Sequence, residues 1–412
     1  MKKPELLMPS GSLEVLKTAV RFGADAVYIG GELFSLRAKA KNFTSEEMRE
    51  GIEFCHANGR KLYVTANITA HNYHLDGVRK YFAELKTMGP DALIISDPGV
   101  FRIAREVCPE IPVHISTQAN NVNTETFLFW YSLGVRRIVC GRELSLAEIR
   151  SIRDSIPEDL EIEAFVHGAM CISYSGRCLL SAYMTGRDAN LGACTHPCRW
   201  KYYLMEESRP GEYFPVEENE DGTYIFNSKD LCMIDHIPEL VSAGISSFKI
   251  EGRMKTALYV AVTAGTYRKA IDDYFEAPDT YTANLPEYRK AIELCTFRNY
   301  TTGFYFGKPG SDAQVYDNNV YEKNAVYLGM VSEVHADGSF SFEQKNKFRV
   351  GDTIDILSPG FLHTETTVTK MLDDTGAEVM SCPHPKQRIT ALAGIVPKVG
   401  DILRKNDDSE EE

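Results

Sequence analysis

Residues 5–31, ELLMPSGSLEVLKTAVRFGADAVYIGG, read as strand, helix and strand, and this unit decides the fold. Glu5 to Met8 and Ala26 to Ile29 are short apolar runs, the first followed by Ser10-Gly11 and the second by Gly30-Gly31. Between them LEVLKTAVRFGA carries apolar residues at helical spacing and closes on a glycine, as helix C-termini do. The rhythm then repeats. Further strands are expected at Leu62 to Ala66, Ala92 to Ser96, Val113 to Ser116, Arg137 to Cys140, Ile162 to Val166 and Ser247 to Ile250. Helical segments SEEMREGIEFCHANG, LDGVRKYFAELKTMG, VFRIAREVC, TETFLFWYSLG and SLAEIRSIRDSI fall between most of them. Strand–helix alternation implies parallel strands with right-handed crossovers, and eight units imply an α/β fold closed as a (β/α)8 TIM-like barrel. A doubly wound open sheet is the alternative.

The barrel with its helices is expected over residues 1–275, with a Cys-rich insertion, 168–201, after strand 7. Residues 202–226 read as an excursion, a hairpin, and NSKDLCMIDHIPELVSAG as a helix leading into the last strand. Ala257 to Tyr274 reads as an amphipathic helix closing the barrel. Residues 276–320, rich in Pro, Tyr, Gly and Asn, read as a linker; within it, FRNYTTGFYFG interleaves an arginine with rings able to stack on bases or to pack domains together. From 321 to 405 the runs AVYLGMVSEV, FSFEQKN, DTIDILS, TTVTKML and AEVMS alternate with period two between turn signals ADGS and DDTG, the pattern of a small antiparallel β-barrel. Residues 406–412 form an acidic tail.

The chain has 412 residues, 25% of them charged, and a net charge of −13, which argues against a broadly basic nucleic-acid binder. The charge is uneven: from Ala164 to Met205, Arg177, Arg187, Arg199 and Lys201 face only Asp188, while EENED and DDSEEE hold much of the acid. No apolar run approaches the roughly 20 residues of a membrane span, and MKKPELLMPSGS lacks the apolar core of a secretory signal. A cytoplasmic protein without membrane contact is expected.

In a reducing cytosol, clustered thiols read as metal ligands rather than disulfides. Four of the ten cysteines, Cys171, Cys178, Cys194 and Cys198, lie within 28 residues, with six, fifteen and three residues between them. The other six are scattered and read as small buried hydrophobes. Thiolate-only sites select zinc or iron–sulfur clusters. Structural zinc takes closer CxxC pairs, so the spread spacing favours a 4Fe-4S cluster, with zinc as the alternative and His196 able to replace one sulfur.

In such a barrel, function sits at the C-terminal strand ends. Those positions are Ser10, Gly11, Gly30, Gly31, Asn67, Asp97, Thr117, Gln118, Arg142, Glu143, His167, Lys249, Glu251 and Arg253. Asn67, Asp97 and Ser10 also suit helix caps, and Glu251 suits a partner for Arg253 or Lys249. Arg142, His167, Lys249 and Arg253 put four potential cations at one mouth, which favours an anionic ligand. HExxH, GxSxG, GxxxxGK[ST] and GxGxxG are all absent. A peptidase would therefore need an unfamiliar constellation, with His167 and Glu143 as its one candidate pair.

The run Glu163-x-Phe165-x-x-Gly168-Ala169-Met170-Cys171, followed by Gly176-x-Cys178-x-Leu180-Ser181, resembles without mismatch the signature of the collagenase-like peptidase family. GADAVYIGG, STQ at 116–118, SFKIEGRMK and RNYTTGF extend the likeness over nearly the whole chain. The better-understood members of that family are RNA hydroxylation proteins, and length and layout are most similar to its tRNA branch, which forms 5-hydroxyuridine at the wobble position. The resemblance implies a barrel, an iron–sulfur site on Cys171, Cys178, Cys194 and Cys198 with His167 beside it, and an oxygen-independent hydroxylation that depends on prephenate.

The substrate roles follow from chemistry. Prephenate has two carboxylates, which suit Arg142 and Arg253, with Lys249 adding charge. Gln118 and Asn67 suit a uracil edge; His167 suits proton transfer, with Arg142 and Glu251 completing the catalytic set. An anticodon loop presents its bases without breaking a helix. Two other readings stand beside this one: a hydrolase, and an RNA-binding barrel whose metal site is structural. Ribosomal RNA and ubiquinone precursors are substrates of related branches, and assembly with itself or with a paralogue is left open by the sequence.

Overall fold

The computed structural model describes residues 2–35, 42–171, 178, 180–187, 189, 192–199, 203–204, 214–215, 229–308, 322–384 and 386–406. Arg177, Asp188, Lys201 and the acidic runs at 217–221 and 407–412 lie outside them.

The strands expected from the sequence all form: β1 Glu5–Pro9, β2 Ala26–Gly30, β3 Lys61–Ala66, β4 Ala92–Ile95, β5 Val113–Ile115, β6 Arg137–Val139 and β7 Glu161–Ala169. After the short hairpin β8 Tyr203–Leu204 with β9 Phe214–Pro215, and β10 Asp230–Cys232, comes the last barrel strand, β11 Ser247–Ile250. Strands β1 to β7 run parallel in sequence order, and β11 pairs parallel with both β7 and β1, so eight strands close a TIM-like barrel. This is the α/β barrel expected, not the open sheet. In chain order the helices are α1 Leu13–Arg21, α2 Ser45–Ala57, α3 Leu75–Met88, α4 Pro98–Val107, α5 Thr124–Ser132, α6 Leu146–Ser155, α7 Leu180–Thr185, α8 Ile237–Ser242, α9 Ala257–Glu276 and α10 Pro278–Ile292. Local chemistry sets their starts. Thr44 with Glu47 and Ser145 with Glu148 form capping boxes, and Asp97 accepts the Val100 N–H at 2.9 Å before Pro98 at the first helical position. Asp97 is therefore a helix cap.

By contact the chain divides into two compact units: Met1–Leu13, Asp25–Met254 and Arg298–Tyr321, and Glu14–Ala24, Lys255–Phe297 and Glu322–Glu412. The second contains α9 and α10, so α9, expected as the barrel's closing helix, groups instead with the C-terminal strands. Its amphipathic reading also changes, because 14 of its 20 residues are buried. The stretch expected as a linker contains α10 with Pro286 inside it, β12 Thr296–Phe297 and β13 Tyr300–Thr301. Tertiary bonds outweigh the proline: Asp273 on α9 accepts from Asn284 at 3.0 Å and from Tyr288, both on α10, and from its own-helix neighbour Lys269 at 2.5 Å. Burial alone would raise the Asp273 pKa, but these three hydrogen bonds hold it below the usual carboxylate value.

After β14 Glu322–Lys323, the C-terminal strands β15 Ala325–Val334, β16 Phe340–Glu343, β17 Thr353–Ser358, β18 Leu362–Leu372, β19 Arg388–Ala393 and β20 Ile402–Asn406 close a second barrel in the order β15-β16-β19-β18-β17-β20. Its core packs Phe340, Phe342, Phe348, Ile354, Ile356, Met371 and Ile389. The run AEVMS contributes only isolated bridges, and β19 and β20 complete the barrel instead. Among the described residues, no helix is long and apolar enough to cross a membrane.

Candidate functional site at the barrel mouth

The period-two pleat points alternate residues of each strand into the barrel, and here the interior is charged. Glu5 on β1, Tyr63 on β3, His114 on β5, Arg137 on β6, Glu163 on β7 and Lys249 on β11 all face it, beside a small cluster in which Leu7, Ala26, Tyr28, Ala92 and Ile94 pack with Tyr63. Such barrels are ordinarily filled by branched apolar side chains. Arg137 bonds Glu5 and donates to Glu161 at 2.8 Å and to Glu163 at 3.5 Å, and Lys249 Nζ lies 2.6 Å from Glu163 Oε1. Burial would raise the Glu5 carboxyl, but the charge and hydrogen bond of Arg137, with that of Tyr63, carry it below the usual value. Burial pushes His114 well down, and Arg137, Lys249 and Lys61 push it further, so its imidazole stays neutral. Lys249 was expected at the mouth. It is instead an interior residue, 4% exposed, held by Glu163 and lying over the Tyr28 ring at 4.5 Å.

Above this layer the strand ends assemble polar pairs. Arg142, just past β6, donates to Glu251 at 2.9 Å, with its guanidinium over the Phe165 ring at 3.8 Å. Glu251 thus pairs with Arg142, a partner the sequence did not suggest. Arg253 donates to Ser35 Oγ at 2.6 Å and to Thr65 Oγ1 at 3.3 Å. A Cβ at Gly30 would come to 2.3 Å of the Arg253 Nη1 and 2.2 Å of the Ser35 Oγ, so the glycine makes room for the cation. Asn67 donates to Gln118 Oε1 at 2.6 Å, joining the loops after β3 and β5. Ser10 and Thr117 are turned to the backbone: Ser10 donates to the Ser12 carbonyl and Thr117 to the Cys140 carbonyl.

His167 closes β7, almost fully buried, with its ring 5.5 Å from that of Tyr300. Next to it Gly168, at φ 105°, lets the Glu251 carbonyl approach to where a Cβ would stand 2.4 Å away. Strand β10 runs antiparallel to β7 and sets Cys232 opposite His167 and Asp230 opposite Ala169, and β13 sets Tyr300 beside Asp230. Asp230, Cys232 and Tyr300 escaped the sequence reading because strands of two and three residues show no period; DLC had been read as the start of a helix. Cys232 had also been grouped with the buried hydrophobes, yet it is partly exposed. Cys140 is inert: burial, reinforced by Glu163 and Glu143, pushes its thiol up to about 12. The Glu143 Oε2 is buried without a hydrogen-bond partner, so it does not orient His167 as a peptidase base.

All ten cysteines are free thiols, and Cys171 is exposed while Cys178, Cys194 and Cys198 are partly exposed. Thr195 joins Ser181 and Thr185 of α7 through hydroxyls at 3.1 Å, which ties the segment carrying Cys194 and Cys198 to the helix that begins two residues after Cys178. The His196 N–H donates to Cys194 Sγ at 3.4 Å, with His196 at φ 55°. Among the described residues, no group of three or more His, Cys, Asp or Glu side chains is arranged to hold a metal ion.

Comparison with known proteins places these features. The profile of peptidase family U32 matches residues 11–315, and that of the peptidase family U32 C-terminal domain matches residues 323–404. The chain is 40% identical over 387 residues to tRNA hydroxylation protein P1 of Bacillus subtilis, covering 94% of this chain and 91% of that protein. It is 41% identical over 399 residues to tRNA hydroxylation protein P of Escherichia coli, covering 87% of each. A protein of Methanocaldococcus jannaschii named an uncharacterized protease is 40% identical over 360 residues, covering 86% of each.

Proposed function

The chain belongs to peptidase family U32, and from that membership we propose that it hydroxylates a pyrimidine of tRNA, forming 5-hydroxyuridine at the wobble position with prephenate as co-substrate. One observation carries the reading: the likeness to proteins named for tRNA hydroxylation runs through nearly the whole chain, both barrels included. The polar pairs at the strand ends agree with it.

In this reading the chain's own residues bind and orient. Arg142 and Arg253 receive the two carboxylates of prephenate. Each is already aimed: Arg142 by Glu251 and the Phe165 ring, Arg253 by Ser35 and Thr65. A guanidinium carries five N–H donors, enough to hold its support and also to meet a carboxylate in bidentate fashion. Asn67 and Gln118, already hydrogen-bonded to each other, offer the remaining amide donors and acceptors to the uracil edge. His167, at the end of β7, is the group placed to move a proton at the pyrimidine. Lys249 moves from ligand contact to support: with Glu163 it fixes β11 and β7 beneath the mouth.

Cys171, Cys178, Cys194 and Cys198 would hold a 4Fe-4S cluster. Their chemistry fits: they are thiols that are not buried, Thr195 ties the segment of Cys194 and Cys198 to the helix that follows Cys178, and an N–H donor to a cysteine sulfur is a device that tunes such clusters. Because three donors do not converge among the described residues, the ligand set rests on thiol type and number. When bound, the cluster would supply electron transfer. The protein would act in the cytoplasm on an anticodon loop.

The test is iron and sulfide analysis of anaerobically prepared protein, paired with nucleoside mass spectrometry of tRNA from cells lacking the gene and complemented with wild type or Cys178→Ala. Iron-containing wild type that restores 5-hydroxyuridine, and an iron-poor variant that does not, support the reading. The name of the archaeal relative favours a second reading, a peptidase. That reading predicts peptide hydrolysis that survives iron removal.

A further inference from the structure

The loop after β3 carries an exposed group of rings that the site above does not use. Residues Asn72–His74 form a single 3-10 turn leading into α3. It gathers His71 and Tyr73, stacked at 5.4 Å and 10°, and His74, 4.2 Å from the Tyr73 ring and 6.0 Å from the His71 ring. The backbone N–H of His71 donates to His74 Nδ1 at 3.0 Å, which fixes the imidazole plane. Tyr73 is 74% exposed, among the most exposed large side chains described.

This exposure is built, at a cost to stability in two places. Phe34, from the loop after β2, supports His74 edge-on at 6.3 Å while adopting φ 60°, a left-handed conformation that a bulky residue rarely takes. The Phe34 ring sits over Gly77 of α3, where a Cβ would come to 2.7 Å of Cζ, so a helix-breaking residue stands inside a helix to seat it. Neither feature adds to the barrel interior. Phe34, which also meets the buried Tyr81 ring at 5.8 Å, braces the His74 end of the loop that starts at Asn67.

We propose that the His71–Tyr73–His74 cluster is a stacking platform for a base of single-stranded RNA flanking the nucleotide that enters the barrel mouth. Flat rings with polar edges suit bases, since every base has a π-face and stacking tolerates sequence. The platform lies only a few residues beyond Asn67, which meets Gln118 at 2.6 Å, so a strand lying on it continues toward the mouth. The inference rests on the RNA reading above.

The test is fluorescence anisotropy of a labelled anticodon stem-loop RNA with uridine at the wobble position, titrated with full-length wild type, Tyr73→Ala, Tyr73→Phe and Tyr73→Trp. Tyr73→Ala is expected to weaken binding by about 5- to 100-fold, the range for loss of one base–aromatic stack. Tyr73→Phe and Tyr73→Trp are expected to stay within about threefold, because the ring and not the hydroxyl carries the contact. The slope of log affinity against log salt should not change, since no phosphate contact is removed. Unchanged affinity in Tyr73→Ala, or an equal loss in Tyr73→Phe, overturns the platform and turns this surface over to a protein partner or to packing. Wild type with no affinity for the RNA defeats the RNA reading itself, and the platform with it.

Discussion

The Arg142–Glu251 pair separates a functional arginine from a merely structural one. Its side chains are 13% and 15% exposed, its bond is 2.9 Å long, and the guanidinium lies 3.8 Å from the Phe165 ring centroid. Arg142→Met removes the cation that Glu251 bonds at 2.9 Å and that covers the Phe165 ring. A stability loss of about 2–4 kcal/mol follows from the broken, largely buried ion pair and the lost cation–π contact. Glu251→Gln leaves a cation that retains its ring and water, and should cost about 1–2 kcal/mol. In the double variant two neutral side chains of similar size replace the ions, so the sum of the single effects should be undershot by about 1–3 kcal/mol. Urea unfolding followed by circular dichroism measures these terms. Hydroxylated nucleoside in tRNA measures the other half of the cycle. The double variant should be no less stable than Arg142→Met alone, and it should stay inactive because the carboxylate-binding cation is still missing. Recovery of hydroxylation in the double variant would reduce the pair to a structural brace, and additive stabilities would deny the coupling altogether.

Other variants reach different layers of the same barrel. Gly30→Ala should displace Arg253 and lower hydroxylation by about tenfold or more; substrate titration against prephenate should show the loss chiefly as a raised KM. Arg137→Met removes the buried cation shared by Glu5, Glu161 and Glu163 and should cost about 3–5 kcal/mol in urea unfolding, whereas Arg137→Met combined with Glu5→Gln should recover part of it. His114 is neutral in the folded state and binds a proton on unfolding below about pH 6.5, so its share of stability is complete above that pH and is lost as pH falls. Glu5, held below its usual value, loses its share at lower pH, as the solution passes below the unfolded carboxylate pKa and through its folded one. Stability measured from pH 8 to 4 should therefore decline more gently in His114→Gln, and an unchanged slope would contradict a neutral buried imidazole.

The barrel was legible because short apolar runs and helical segments, several ending at glycine, repeat in the sequence from Glu5 to Ile250. Periodicity failed where tertiary contact overrides local preference. Pro286 argued for a linker, yet Asp273 on α9 accepts from Asn284 and Tyr288 and holds α10 in place. Position along a strand located Arg142, Arg253, Asn67 and Gln118 at the mouth, but it could not show direction. Lys249 lies on the penultimate residue of β11, close enough to the strand end to pass for a mouth residue, and the inward carboxylate of Glu163 retains it inside. The partner of Glu251 was equally hidden, since Arg142 lies 109 residues away in sequence. Asp230, Cys232 and Tyr300 sit on strands too short to carry a pattern, and only their pairing with β7 and β10 brings them beside His167.

The most direct measurement is nucleoside mass spectrometry of wobble-unmodified tRNA incubated anaerobically with purified iron-replete protein, with and without prephenate. The account predicts 5-hydroxyuridine only when wild-type protein and prephenate are both present, and none with Arg142→Met/Glu251→Gln. Absence of the nucleoside from the complete wild-type reaction, or its equal formation by the double variant, would contradict it.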